Sequence, residues 1–416
     1  MHTIEKYSFG IGDRFTKQGE AQLKAIMKAN DKGIPVVPVW NKSNREHMIV
    51  KTKPADTWTE ATTATAALNY KGSWYVDADH INLSNVEKYV EHSNFFTLDV
   101  ADYIGKEPDA AEAEAMLKKL AAYKGTLEIP GISEKFEITS GLLEEVVSKF
   151  YVAIKEAALI YRFILDNKGN DNFVAEVSMD EVEEAQNPVE LFFILVMIDH
   201  FGIPAQTIAP KFTGRFNKGV DYVGDIDLFR KEFEQDLLVI DYIVGSTNLP
   251  KNLKLSVHSG SDKFSIYPII GELIRKYDKG IHVKTAGTTW LEEVIGLAMA
   301  GGEALEMAKY IYNTAYSRMD ELCGPYATVI DIDGAKLPKP EAVSSWSSEK
   351  FANTLRHIPG HADYDPMFRQ LIHVGYKVAA ELGDKYHAML EANKEIVGEQ
   401  VSTNIYDRHI KRLFDL

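Results

Sequence analysis

The amino-acid sequence predicts a parallel (β/α)8 barrel of the TIM type, with a helical insertion and a C-terminal helical extension. Three observations lead there. Eight short β-rich or apolar runs recur along the first part of the chain, most of them separated by helical stretches. Such alternation implies parallel strands joined by right-handed crossovers. The eight units occupy about 300 residues, enough for a closed barrel, and ionisable residues gather where the runs end, which is where this fold keeps its active site. A doubly wound open sheet is the alternative architecture.

The elements follow in order. "KYSFGIG" (6–12) precedes the helical "KQGEAQLKAIMKAND", and "IPVVPVW" (34–40) precedes "ADTWTEATTATAALNYK". "WYVDADH" (74–80) leads to a polar helix near "SNVEKYVEHS", and "FFTLDVADYIG" (95–105) follows. Residues 106–171 hold an Ala/Glu/Lys helix, then "GTLEIPGISEKFEIT", then another helix, and are expected to form the insertion. "NFVAEVSMDE" (172–181) runs into "NPVELFFILVMIDHFG", where Asn187–Pro188 is a helix start. "PAQTIAPKF" (204–212), "LKLSVHSGS" (253–261) and "GIHVKTAGTT" (280–289) complete the set, the last followed by a helix with a glycine stop, "WLEEVIGLAMAGG". Residues 1–300 are therefore expected to form the catalytic barrel. Residues 301–416, almost wholly helical apart from "DIDGAKLPKPEAVSSW" and "RHIPGHADYDP", are expected to pack on it.

Composition narrows the function. The 416 residues are 45% hydrophobic and 26% charged, an ordinary globular mixture, with a net charge of −15. That charge argues against a nucleic-acid or anionic-membrane binder, since phosphate contacts need a basic face. The longest apolar run, "LFFILVMI", is too short to span a bilayer. No secretory leader is visible in "MHTIEKYSFG", and the single cysteine, Cys323, forbids an internal disulfide, so a reducing cytoplasm is the expected compartment. No GxGxxG or GxxxxGK[ST] fingerprint occurs, which leaves no sign of a dinucleotide or P-loop site. Met299, Met307, Tyr310 and Tyr312 read as core residues. His357 and His361 are separated by Pro359 and Gly360, which break a helix, so they read as part of a loop and not as a two-histidine metal motif.

The strand ends carry the chemistry. They present Asp13 and Arg14; Asn41 and Lys42; Asp77, Asp79 and His80; Asp99 and Asp102; Glu176 and Asp180; Lys211 and Arg215, with Asp221, Asp225 and Asp227 beyond; His258, Ser259, Asp262 and Lys263; and Lys284, Thr285, Thr288 and Thr289. One subset joins carboxylate to imidazole: Asp79, His80, Glu176, Asp225 and His258. Those donors suit Zn²⁺, Mn²⁺, Fe²⁺ or Co²⁺, and three protein ligands with an open position make a catalytic site. A single histidine after a strand is more often an ordinary hydrogen-bonded residue; two of them beside acids on strand ends favour the metal. The second subset is cationic: Arg14, Lys211, Arg215, Lys263 and Lys284. A positive mouth on an acidic protein focuses small anions, and these side chains bind carboxylate or phosphate.

Several of these stretches together, "YVDADHINL", "APKFTGRFNKGVDYVGD", "LSVHSGSDKFSIYP", "HVKTAGTTWLEE" and "RHIPGHADYDP", resemble the tagaturonate epimerase family of hexuronate catabolism. The resemblance runs over nearly the whole chain. It implies an isomerase that interconverts tagaturonate and fructuronate with a divalent cation: Mn²⁺, Zn²⁺, Co²⁺, Ni²⁺ or Mg²⁺. It assigns Asp79 as proton acceptor and His80 and His258 as metal ligands. Asp225 is the expected third ligand, with Asp221 and Asp227 as rivals, and Glu176 the expected proton donor, with Asp180 as its alternative. The cationic subset would bind the substrate carboxylate. A metal-dependent aldolase or aldose–ketose isomerase on the same barrel is the competing enzyme, and a non-catalytic sugar-acid binder the competing class.

Overall fold

The computed structural model describes residues 2–259, 262–285 and 288–415. Eight parallel strands close a barrel: β1 Tyr7–Ile11, β2 Val36–Ser43, β3 Tyr75–Ile81, β4 Phe95–Asp99, β5 Val174–Ser178, β6 Thr207–Ala209, β7 Lys254–His258 and β8 Ile281–Lys284. Each strand pairs with its neighbours in sequence, and β8 returns to β1 through Tyr7 opposite Ile281 and Gly10 opposite Lys284. The strand count and order are those the alternation predicts. An open sheet is excluded by the closure.

The strands read as apolar runs because both faces are covered: the outer by helices, the inner by side chains filling the barrel. Helix starts follow local chemistry. Asn187 caps the Pro188–Phe201 helix by accepting from the Val189 and Glu190 amides, Glu190 reaches back to complete a capping box, and Gly202 at φ 70° ends it. Between β4 and β5 the chain forms the Ala110–Leu120 helix, a short antiparallel hairpin (Gly125–Leu127 with Phe136–Ile138) and the 29-residue Ser140–Lys168 helix. On the Gly302–Ser317 helix Tyr312 is buried, but Tyr310, two residues back and so on the opposite side, is exposed, as is Met299. Sequence type alone does not separate those faces. Among the described residues, no helix is long and apolar enough to cross a membrane.

The C-terminal helices form their own core around Tyr312, Phe351, Phe368, Leu371 and Tyr376, and this core takes in Phe15 from the loop after β1 and Trp290 from the helix after β8. The chain then returns to the barrel. Val401, Ile405, Ile410 and Leu413 belong to the barrel's own hydrophobic cluster. This return needs two glycines. A Cβ on Gly271 would lie 2.0 Å from the Leu413 carbonyl oxygen, and one on Gly296 would lie 2.7 Å from the Val397 Cα. Backbone cannot yield as a side-chain tip can. Gly271→Ala and Gly296→Ala should therefore each destabilise the protein by about 1–3 kcal/mol through overpacking, read as a lower urea midpoint.

Candidate active site

The stretch "DADH" in β3 sends three of its four side chains into the barrel mouth. Simple alternation accounts for Asp77 and Asp79 but would turn His80 outward. The pairing of β3 with β4 shifts register between Ala78 and Ile81, and His80 sits at φ 54°, a left-handed conformation rare for a non-glycine residue. The irregularity swings the imidazole inward beside its neighbour, so that His80 Nδ1 lies 2.9 Å from Asp79 Oδ1.

His258, at the end of β7, mirrors this arrangement. Its Nε2 lies 2.8 Å from Glu176 Oε1 on β5, and the two imidazole centroids are 5.0 Å apart. Each ring is thus held from behind by a carboxylate, the usual way an imidazole ligand is oriented toward a metal. Their remaining nitrogens, His80 Nε2 and His258 Nδ1, are buried without a hydrogen-bond partner. They face Asp180 Oδ1 at 3.6 and 3.2 Å. The three side chains offer ligand atoms all within 4.8 Å of one another. Two orphaned nitrogens and a carboxylate oxygen converging on one point fit a divalent cation with open positions.

Electrostatics supports that fit. Burial alone would lower the His80 pKa, but the Asp79 and Asp180 carboxylates outweigh it and hold it well above the ordinary value. Burial likewise opposes, and Asp180 and Glu176 overcome it, to raise His258. Asp180, despite its burial, is held well below the usual carboxylate range by the two imidazoles. A cation would take over the role that protons play there.

Beneath lies Lys284, at the end of β8. Its ammonium is 2.8 Å from Asp77 Oδ2, 2.9 Å from Asp79 Oδ1 and 3.1 Å from Glu176 Oε1, and 2.5 Å from Thr97 Oγ1 on β4. Four strands meet at one charge. Against the cost of burial, Lys284 keeps Asp79 and Glu176 ionised, with pKa values below the ordinary range. Asp77 is deeper, and burial together with its two acidic neighbours outweighs Lys284 and lifts it to about 6.

The sequence profile of the tagaturonate epimerase family matches residues 1–413. The chain belongs to that family. It is thereby an isomerase of the epimerase type. A tagaturonate/fructuronate epimerase of Thermotoga maritima is 29% identical over 424 aligned residues, covering 98% of this chain and 80% of its own. The crystal structure of a fructuronate-tagaturonate epimerase from Cohnella laeviribosi with one glycerol bound superposes with a TM-score of 0.82 at 21% identity, covering 99% of this chain and 82% of that one. Its native form gives 0.81. These structures share the fold.

Within this family member, several expected site residues have other work. Asp225 is exposed and caps the Ile226–Val244 helix through the Asp227 and Leu228 amides. Asp227 is also exposed, and Asp221 accepts from Ser265 and the Tyr222 amide. None of the three joins the two histidines; Asp180 does. Glu176 is gripped by His258 and Lys284, which, against its burial, hold it below the usual carboxylate range. Lys284 is enclosed by carboxylates. Lys263, also buried, donates to the Asn217 and Val220 carbonyls, and Arg14 is buried, 3.2 Å from Glu46 and stacked over Tyr376. Arg215 lies at the surface against Asp331. Only Lys211 of the cationic set has no partner for its ammonium among the described residues. Buried cations need compensation, and sequence does not show which strand-end lysines are buried. Gly260, Ser261, Ala286 and Gly287 lie outside the described residues. Asn41 adds a buried amide with neither atom hydrogen-bonded, in register with Asp77; its strand-end position was the available signal.

Lys284→Met should cost about 3–5 kcal/mol near pH 8, because it strands three buried carboxylates. In the wild type, the lowered pKa values of Asp79 and Glu176 contribute stability above the ordinary carboxylate range, lost as pH falls through the folded values. In the variant, burial raises all three carboxyls, so stability is lost as pH rises through them. The gap between the two denaturation midpoints should accordingly narrow steadily from pH 8 to pH 5.

Proposed function

We infer that the protein interconverts tagaturonate and fructuronate, using a divalent cation held by His80, Asp180 and His258. The observation that carries this reading is the pair of carboxylate-backed imidazoles whose unpartnered nitrogens converge on Asp180, in the mouth of a barrel of the tagaturonate epimerase family. The bound ion would supply Lewis-acid polarisation of substrate oxygens.

The two sugar acids differ at a carbon two positions from the keto carbon, where simple enolisation does not loosen the inverted C–H bond. Retro-aldol cleavage and re-addition on the opposite face reaches that carbon. A base takes the hydroxyl proton there, the bond to the next carbon breaks, and the proton returns after the bond re-forms. Asp79, ionised and at the mouth, serves as that base. Glu176 also enters ionised, with Oε2 buried and unpartnered, so it accepts a proton before it can donate one. Asp99, raised by burial and close enough to His80 to feel its charge, is better suited to supply a proton.

Purified protein should convert tagaturonate to fructuronate with at least one of Mn²⁺, Zn²⁺, Co²⁺, Ni²⁺ or Mg²⁺; no product with any of them would end this reading. His80→Ala, His258→Ala and Asp180→Ala should each lose bound metal by elemental analysis, whereas Asp225→Ala should retain it. Asp79→Asn should lower kcat by about 10²–10⁴, while metal affinity weakens by no more than about 10–100-fold through the altered support of His80. Near-normal turnover in that variant would remove Asp79 as the base.

A further inference from the structure

His373 is an anomaly that the metal centre does not explain. It lies on the Pro366–Val374 helix, is 1% exposed, and neither of its ring nitrogens has a hydrogen-bond partner. An imidazole buried this way gives up water on both nitrogens without replacement, which proteins seldom tolerate unless something fills the gap. Opposite it is the loop after β6. A Cβ on Gly219 would sit 3.6 Å from the His373 Cβ, in ordinary contact, so the loop lies directly on this helix.

The loop is rigidly presented. Lys263 donates to the Asn217 and Val220 carbonyls at 2.9 and 2.7 Å, and Arg369 Nε donates to the Gly219 carbonyl at 2.6 Å. The Lys218 amide is tied to the Val329 carbonyl at 2.7 Å. Between those anchors lies Lys218, whose side chain is partly exposed.

Charge completes the picture. Four basic side chains act on His373 through their charge: Arg14, Lys218, Lys263 and Arg369. Burial and then these four, in the order Arg14, Lys218, Arg369 and Lys263, hold it neutral, well below its usual pKa. Three are answered locally. Arg14 pairs with Glu46, Arg369 with Asp262, and Lys263 feels Asp262 and Asp221. Lys218 is answered by no carboxylate among the described residues. Lys218, next in sequence to the glycine that packs on His373, is thus a cation without a carboxylate partner among the described residues, near an imidazole with an unused N–H.

We propose that Lys218 and His373, brought together where the loop after β6 meets the Pro366–Val374 helix, form the subsite that takes the carboxylate of the substrate. The ammonium supplies the charge, and the imidazole N–H supplies a directed hydrogen bond. This rests on the keto-uronate reading. It assigns the anion to residues that the strand-end pattern does not contain, one of them from the C-terminal helices, in preference to Lys211.

The test compares tagaturonate with its neutral counterpart, tagatose, by steady-state kinetics and by calorimetric titration of metal-loaded protein. Lys218→Met and His373→Leu should each raise KM and Kd for the uronate by roughly ten- to hundredfold, the worth of a charge-assisted hydrogen bond. Metal content and affinity for tagatose should not change, and Lys218→Arg should largely restore uronate binding. Lys218 is partly exposed, so its variants stay informative if His373→Leu fails to fold. An unchanged uronate KM and Kd in Lys218→Met, an equal loss for both sugars, or a loss seen only in Lys211→Met would overturn the assignment. If the wild type binds uronate through Lys218 but produces no epimer, the subsite stands and the epimerase reading falls.

Discussion

One ammonium group holds the site together. Among the described residues, Lys284 is the one cation that touches all three of Asp77, Asp79 and Glu176, and it reaches them from the far side of the barrel. Without a positive charge there, three carboxyls would share a dry interior and shed their charges to do so. With it, Asp79 and Glu176 stay anionic, and anionic carboxylates hold the two imidazoles in fixed orientation. The order of dependence runs outward: lysine to carboxylates, carboxylates to imidazoles, imidazoles to the two nitrogens that face Asp180. A lysine that in sequence looks like an anion receptor is in the structure the charge that keeps the carboxylates behind both imidazoles anionic.

The barrel was legible because its signal is repeated. Each strand is covered on both faces, so each leaves an apolar run, and eight of them in alternation with helices leave few alternatives. His80 and His258 were legible as strand-end residues. The third member of the cluster was not. Asp180 stands two residues beyond β5, where the Ser178 hydroxyl donates to it at 2.6 Å, and only the curvature of that loop decides whether it faces the histidines. Asp225 carried a contrary local signal, an acid directly before an amphipathic helix, which is the mark of an N-cap. The lysines misled for a different reason. Net charge and strand-end position say that a cation is near the mouth, but whether it faces a substrate or a carboxylate depends on residues far away in sequence, as Lys284 and Asp79 show, 205 positions apart. The substrate itself came from family resemblance; no spacing encodes it.

The C-terminal helices are part of the same construction. Asp262, four residues past His258, takes Arg369 Nη2 at 2.6 Å, His409 Nε2 at 2.9 Å and His357 Nδ1 at 3.2 Å. Three separate segments of the extension converge on the loop that follows a metal-ligand candidate. His357 is in turn stacked on Tyr364, with centroids 4.8 Å apart. The loop "RHIPGHADYDP" therefore packs onto the mouth through its first histidine, consistent with its reading as a loop and not as a helical metal motif.

The return of the chain to its barrel has a bearing on biosynthesis. All eight strands have emerged from the ribosome soon after residue 284, but the helices of Lys394–Phe414, which lie against the Gly19–Asp31, Tyr267–Lys276 and Thr288–Ala300 helices, begin 110 residues later. At ordinary translation speed that interval is on the order of ten seconds. Throughout it a nascent barrel would carry an uncovered apolar seam beside Gly271 and Gly296. Apolar surface left open in this way favours aggregation and proteolysis, and slow decoding between β8 and the final helices would lengthen that exposure.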